Sequence, residues 1–229
     1  PRELRRVLAV GLPMGVGDFI DVASFTAFFA LVGRLGTEVL AANNIALQFM
    51  SLSFTLGIAV AQASSSLVAQ SLGAKEPLEA ARVGYRATAL GMVLMGVVGL
   101  GYLVAPELLM GVFTDDPEVV AAGVAVLQLV ALYQVVDAAA IVLGGSLNGA
   151  GDTTYTMLAR LACAWGLFLP LAYLFAFPLG GGVRGAWAGA MVYLIALALM
   201  YFLRFRSGRW QGSFRGAEPG PGRVVDTSL

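Results

Sequence analysis

The stretch VVAAGVAVLQLVALYQVVDAAAIVLGGSL, residues 119–147, carries a single charged side chain, Asp137, and no proline. Its apolar residues run on without alternating. A hydrocarbon core of about 30 Å takes ~20 helical residues to cross, so this run reads as a membrane-spanning helix. Working outward, similar apolar windows fall at 7–32, 39–70, 87–104, 161–177 and 186–203. Together they predict an all-α membrane protein with six transmembrane helices. The windows at 39–70 and 119–147 exceed the thickness of the core, which predicts tilt, a bend, or ends projecting into water. Runs such as Ala87–Val104 and Ala186–Leu203 lack the two-residue alternation of a membrane β-barrel. The first window contains Asp18 and Asp21 and has no small-residue cleavage site, so it is not a cleavable signal peptide.

Composition narrows the classes further. Of 229 residues, 59% are hydrophobic and 12% charged, whereas a soluble domain carries about 25% charged residues. A soluble domain, a disordered chain, a collagen and a disulfide-stapled secreted module are all excluded on that ground. Fourteen basic residues balance 14 acidic ones, which gives no footprint for a nucleic-acid partner. With no His and one Cys, neither a transition-metal site nor a disulfide framework is expected. Cys163 lies in an apolar run and reads as a small packing residue. The sequence opens on Pro1 rather than Met, which points to a segment of a longer protein.

The basic residues orient the spans. With the N-terminus inside, Arg2, Arg5, Arg6, Lys75, Arg82, Arg86, Arg160, Arg204, Arg206, Arg209, Arg215 and Arg223 are cytoplasmic, and only Arg34 and Arg184 fall outside. Positive charge concentrates on the cytoplasmic side of membrane proteins, so both ends are predicted there. Acidic Glu107, Asp115, Asp116 and Glu118 mark the longest outer loop. The chain divides into a six-helix membrane domain at 1–206 and a Gly-, Pro- and Arg-rich tail at 207–229, expected to be disordered and cytoplasmic.

Polar residues inside the spans require a reason, because an Asp at a helix centre costs about 2.5–3.5 kcal/mol on insertion scales. Asp18 and Asp21 sit three residues apart on one face of the first span. Asp137 lies near the middle of the fourth, with Tyr133 one turn before it and Gln134 beside that. Three carboxylates and a phenol on two helices are the makings of an oxygen-lined Na⁺ site or a proton-sharing cluster. The alternative is that each Asp is hydrogen-bonded to a neighbouring helix or wetted by a cavity and transports nothing. For Asp18 the two readings are balanced; for Asp21 and Asp137, near mid-membrane, ion handling is favoured. Asn44 and Gln48 form another polar pair on the second span, joined by Gln62 and Ser64–Ser66. Amides and hydroxyls of this kind commonly join helices in lipid, and a secondary polar cavity of Asp18, Asn44, Gln48 and Gln134 is the functional alternative. Glycines inside the spans, among them Gly91, Gly99, Gly144 and Gly145, predict close helix contacts. Pro13 and Pro170 predict kinks. Gly180–Gly182 lacks the Lys-Ser/Thr ending of a phosphate loop, and no nucleophile–base pair is present, so no enzyme activity is expected.

Several pieces of the chain, in order, resemble the multidrug and toxic compound extrusion (MATE) family. They are Gly11-Leu12-Pro13-Met14, Leu35-Gly36-Thr37 with Leu40-Ala41-Ala42-Asn43, Gln70-Ser71-Leu72-Gly73-Ala74, and Phe113-Thr114-Asp115-Asp116-Pro117-Glu118. Above all, Leu143-Gly144-Gly145-Ser146-Leu147-Asn148-Gly149-Ala150-Gly151-Asp152-Thr153 is similar to that family. The resemblance runs from about residue 3 to 206 and implies the second six-helix lobe of a twelve-helix transporter of the NorM-like branch. It implies exchange of organic cations for Na⁺ or H⁺, with no cofactor beyond that coupling ion. It also places the cation-coupling residues at Asp21, where Glu is usual, and at the Tyr133–Asp137 pair; Asp21 and Asp137 would hold the metal if the ion is Na⁺. Asn43 stands where a His is common.

The expected function is secondary export of a cationic or amphiphilic small molecule, driven by a Na⁺ or H⁺ gradient. The partners are that substrate, the lipid bilayer, and the missing N-terminal lobe or a second copy. A lipid-linked oligosaccharide flippase of the same superfamily is the alternative, and should show a more cationic cavity. A non-transporting membrane scaffold leaves three buried Asp unexplained. Insertion in the plasma (cytoplasmic) membrane is expected.

Overall fold

The computed structural model describes residues 2–214, the side chains of 2, 3, 5, 6, 37, 38 and 42 excepted. Six long apolar segments are helical, and no strand occurs among the described residues. They are α1 (Arg2–Gly33), α2 (Thr37–Gly73), α3 (Pro77–Val104), α5 (Pro117–Gly149), the pair α6 (Thr153–Cys163) and α7 (Leu169–Ala176), and α8 (Gly182–Arg206). A short α4 (Pro106–Gly111) lies in the loop between α3 and α5. A π-helical turn at Ala164–Phe168 joins α6 to α7 into one span. Much of the outward surface is apolar, as with Leu8, Leu12, Phe19 and Val22 on α1 and Leu90, Val93, Val97 and Leu100 on α3. Lipid is the solvent that such a perimeter suits.

The helix starts are written locally. Pro77, Pro106 and Pro117 each occupy the first turn of their helices, where a missing N–H costs nothing. At α5 the Asp116 carboxylate accepts from the Glu118 N–H at 2.9 Å, satisfying one of the free donors of the first turn. Two spans begin earlier than hydropathy suggests. Helix α3 starts at Pro77 rather than 87, its first turns carrying Glu79, Arg82 and Arg86. Helix α6 starts at Thr153 rather than 161, so Arg160 lies about two turns inside the helix instead of before its start.

Helix α5 is the axis of the bundle and packs along α2, α3 and α8. Its approach to α2 is a backbone contact. A Cβ at Gly145 would stand 2.6 Å from the Ala61 carbonyl oxygen, and one at Gly149 would stand 2.2 Å from that of Ser65. Ser64 and Ser146 share a hydrogen bond of 2.7 Å across the same seam, as expected of hydroxyls that join helices. Gly91 and Gly99 of α3 likewise admit α5 side chains, Val142 and Gln134.

An aromatic cluster ties the remaining helices to this axis. Phe28 of α1 lies 5.0 Å from Phe168 of the π turn and 5.2 Å from Trp187 of α8, whose ring stacks on Tyr133 of α5 at 6.3 Å. The Trp187 indole N–H donates to Asn43 of α2 at 3.0 Å, so the position where His is common in the resembling family is a buried structural joint here.

The tail does not begin at 207. A 3₁₀ turn at Arg209–Ser213 buries Trp210, which stacks on Phe205 at 4.6 Å and donates its indole N–H to the Phe205 carbonyl at 2.7 Å. Ser213 reaches Asp152 at 3.3 Å, and Arg204 holds the same carboxylate at 2.7 and 3.1 Å. The turn at Gly151, with φ +80°, brings the start of α6 under Ser213. Composition missed this because two aromatic rings outweigh the surrounding Gly and Arg. The remainder of the expected tail, 215–229 with Arg215 and Arg223, lies outside the described residues.

The α2–α5 seam is open to a direct test. Gly149→Val must push the two backbones apart, and overpacking of this kind costs about 1–3 kcal/mol. The thermal midpoint of the detergent-purified protein should fall by about 5 °C. An unchanged midpoint would contradict the close contact.

Candidate functional site

Helical periodicity gathers the intramembrane polar residues. Met14, Asp18, Asp21 and Phe25 repeat along one face of α1; Tyr133 and Asp137 do so on α5; Tyr193, Leu197 and Tyr201 on α8. These three faces, with residues 50–66 of α2 and Arg160 of α6, line one cavity of about 610 Å³. That lies within the range of small-molecule sites, about 300–1,000 Å³. Its walls are largely apolar and aromatic, including Phe25, Phe54, Tyr133, Trp187, Tyr193 and Tyr201.

The carboxylates differ in what they touch. Asp137 is 4% exposed, and its Oδ2 has no hydrogen-bond partner. The Tyr133 hydroxyl, one turn away, donates instead to Met50 Sδ at 3.9 Å, so the phenol lines the cavity without steadying the carboxylate. Asp18 and Asp21 meet Arg160: its Nη1 lies 2.8 Å from Asp18 Oδ1 and 3.1 Å from Asp21 Oδ2. Asp21 Oδ1 is buried and without a partner. Gly17 lies against this contact: a Cβ there would stand 3.4 Å from the Arg160 nitrogen, in van der Waals contact with it. Three carboxylates against one guanidinium leave the lining formally negative by two charges.

Other expected residues fall elsewhere. Asn44 and Gln48 face outward on α2 and are exposed, while the neighbouring Asn43 is the buried one. Gln134 is fully buried against Gly99 of α3, with both amide atoms unpartnered, and does not line the cavity. The four residues considered for a secondary polar cavity therefore do not come together. A spacing of four residues puts two side chains on one face without saying which way that face points. Gln62, Ser65, Ser66 and Asn148, by contrast, line the cavity with Asp21 and Asp137.

Among the described residues no three or more of His, Cys, Asp and Glu gather closely enough to hold a metal ion. The three Asp share a cavity without forming one cluster. Arg160 is the residue that sequence reasoning misplaced. Its signal was present: a first span with two carboxylates needs a counter-ion, and Arg160 is the sole basic residue between Arg86 and Arg184.

The comparisons with known proteins agree on this architecture. The MatE family model matches residues 13–174. The "Probable multidrug resistance protein NorM" of Brucella suis biovar 1 is 34% identical over 202 residues, covering 86% of this chain and 43% of that protein. The "Multidrug resistance protein NorM" of Burkholderia vietnamiensis is 33% identical over 204 residues, covering 87% and 44%. The chain thus spans less than half the length of these curated relatives. Among solved structures, the MATE transporter ClbM in complex with Rb⁺ matches with a TM-score of 0.85 at 22% identity, covering 91% of this chain and 49% of that one. A multidrug resistance MATE family transporter of the MOP superfamily, in an outward-facing conformation, matches with a TM-score of 0.83 at 22% identity, covering 96% and 49%. Six apolar helices and these relatives make the chain a multi-pass membrane protein. With the family model matching well over half its length, the chain belongs to the MatE family.

Proposed function

We propose that this chain is the second six-helix lobe of a twelve-helix exporter, which expels cationic or amphiphilic small molecules in exchange for Na⁺ or H⁺. The observation that carries this reading is Asp137, a buried carboxylate with an unpartnered oxygen, facing an aromatic-walled cavity of small-molecule size. Aromatic faces attract organic cations through their quadrupoles, and a carboxylate in a low-dielectric wall attracts them far more than it would in water. The names of the NorM relatives support multidrug efflux, and relatives that are transporters support a non-enzymatic role.

Exchange follows from competition. A buried, unneutralised carboxylate is costly, so a bound proton, Na⁺ or organic cation each relieves the same site. An ion that occupies Asp137 from its high-concentration side expels the organic cation there, is carried down its gradient, and is released on the opposite side, where the next organic cation binds. The coupling free energy is the differential affinity of the two occupants for the two conformations. Asp21, half-buried in the same cavity, is the second carboxylate in this scheme, and Tyr133 supplies an aromatic wall. The lobe forms one wall of the pathway, with the other supplied by the N-terminal lobe or a second copy.

A flippase for lipid-linked oligosaccharides requires a cavity that favours anions. Arg160 does enter the cavity here, but the Asp residues outnumber it. The cavity therefore favours the exporter.

In the complete protein reconstituted into vesicles, Asp137→Asn should lower ion-driven efflux of an ethidium-like dye by about tenfold or more at unchanged abundance. Asp21→Asn should act in the same direction, Tyr133→Phe more weakly, and Asp18→Asn least. Full efflux by Asp137→Asn at equal expression would return that residue to a packing role. Orientation has its own test. The excess of basic residues at one set of helix ends predicts that single cysteines at Asp115 or Asp116 react with a membrane-impermeant thiol reagent from outside. Labelling only from the cytoplasmic face would reverse the topology.

A further inference from the structure

A cavity that takes organic cations gains from each carboxylate and loses from each resident cation, yet Arg160 stands among the carboxylates. As a purely structural bridge between α1 and α6 the contact is poorly built. A single guanidinium nitrogen serves both Asp18 and Asp21, at 2.8 and 3.1 Å, where the fork of an Arg can grip a carboxylate through two. The Asp18 side chain is 73% exposed, so the bundle does not enclose the contact. Asp21 Oδ1 is left buried and unpartnered, as is Asp137 Oδ2. The fold's strong Arg–Asp pair lies elsewhere: Arg204 grips Asp152 through two nitrogens. The Arg160 contact has the form of an exchangeable one.

We propose that Arg160 is a tethered cation standing on the carboxylates of α1, that an incoming organic cation displaces it from Asp21, and that it thereby sets which cations the cavity accepts. This inference rests on the exporter reading and adds a specificity determinant to it. With the guanidinium engaged, the lining keeps an excess of two negative charges divided between α1 and α5. A dication bearing N–H donors at both ends, such as an aromatic bis-amidinium, satisfies Asp21 and Asp137 together and replaces the donor that Arg160 withdraws. A monovalent onium ion without donors can neutralise Asp137 only, and it meets the repulsion of the tethered guanidinium. The cavity therefore ranks donor-bearing dications above donorless monocations, and Arg160 widens that gap.

The test is binding of tetraphenylphosphonium, a monovalent cation without donors, to the purified complete protein. Arg160→Gln should tighten its binding by about tenfold, the scale of one nearby charge at an effective dielectric near that of a protein surface. Arg160→Lys, which keeps the charge, should bind within about twofold of the wild type. Free guanidinium ion should compete with tetraphenylphosphonium in Arg160→Gln far better than in the wild type, because the place of the tether is then open to it. Should Arg160→Gln not yield monodisperse protein, Asp21→Asn with Arg160→Gln is compared with Asp21→Asn alone, and the double variant should bind more tightly. Unchanged or weaker binding in Arg160→Gln, or in that double variant, with the wild type still binding, overturns the tether and leaves the exporter reading standing. A wild type that binds neither tetraphenylphosphonium nor an aromatic bis-amidinium overturns both.

Discussion

A carboxylate cannot sit in a hydrocarbon-thick bundle without something to answer its charge, and the arrangement around Asp137 follows from that constraint. Helix α5 is flanked by α2, α3 and α8, and Asp137 faces the cavity lined by α1, α2, α5, α6 and α8 instead of lipid. The cavity supplies aromatic walls, amides and hydroxyls, but among the described residues no hydrogen bond reaches Oδ2. On α1 the same constraint is met differently. Asp18 and Asp21 are answered by Arg160, itself a charge that a span could not carry alone. One bundle thus holds a partly neutralised cluster on α1 and a carboxylate on α5 with no counter-ion among the described residues.

Geometry of this kind needs a firm frame. Backbone contact at Gly145 and Gly149 locks α5 to α2, while Phe28, Phe168, Trp187 and Tyr133 bring α1, the π turn and α8 onto the same axis. Helix α1 belongs mainly with α6, and that contact carries the Arg160 cluster. The π turn follows one turn after Arg160 on the same span. Such turns often mark functional positions in helices. The span that carries Arg160 thus also carries this turn, and α1 packs against both.

Much of this was legible in the sequence. A run such as 119–147, with one charge, has no alternative but a span, and the i, i+4 register of Tyr133 and Asp137 fixes them on one face. Both residues, with Asp18 and Asp21, do line a single cavity. What the sequence could not show was the direction of each polar face. Asn44 and Gln48 share a face that points outward, and Gln134 turns toward Gly99 of α3. Arg160 was hidden by the logic of hydropathy windows, which end a span at a charge, whereas a helix continues through one that meets opposite charges across a small residue such as Gly17. The tail was misread at 207–214 because packing of Trp210 on Phe205 depends on a neighbour that composition does not contain.

On the proposed reading, an organic cation and the driving ion contend for one negatively charged cavity. The most direct test is a linkage measurement on the unmodified complete protein, titrating tetraphenylphosphonium at a series of Na⁺ concentrations and of pH values. Competition for one site predicts that the apparent dissociation constant rises in proportion to the driving ion once that ion saturates, and that the organic cation releases the ion reciprocally. A dissociation constant indifferent to both Na⁺ and pH would contradict the account.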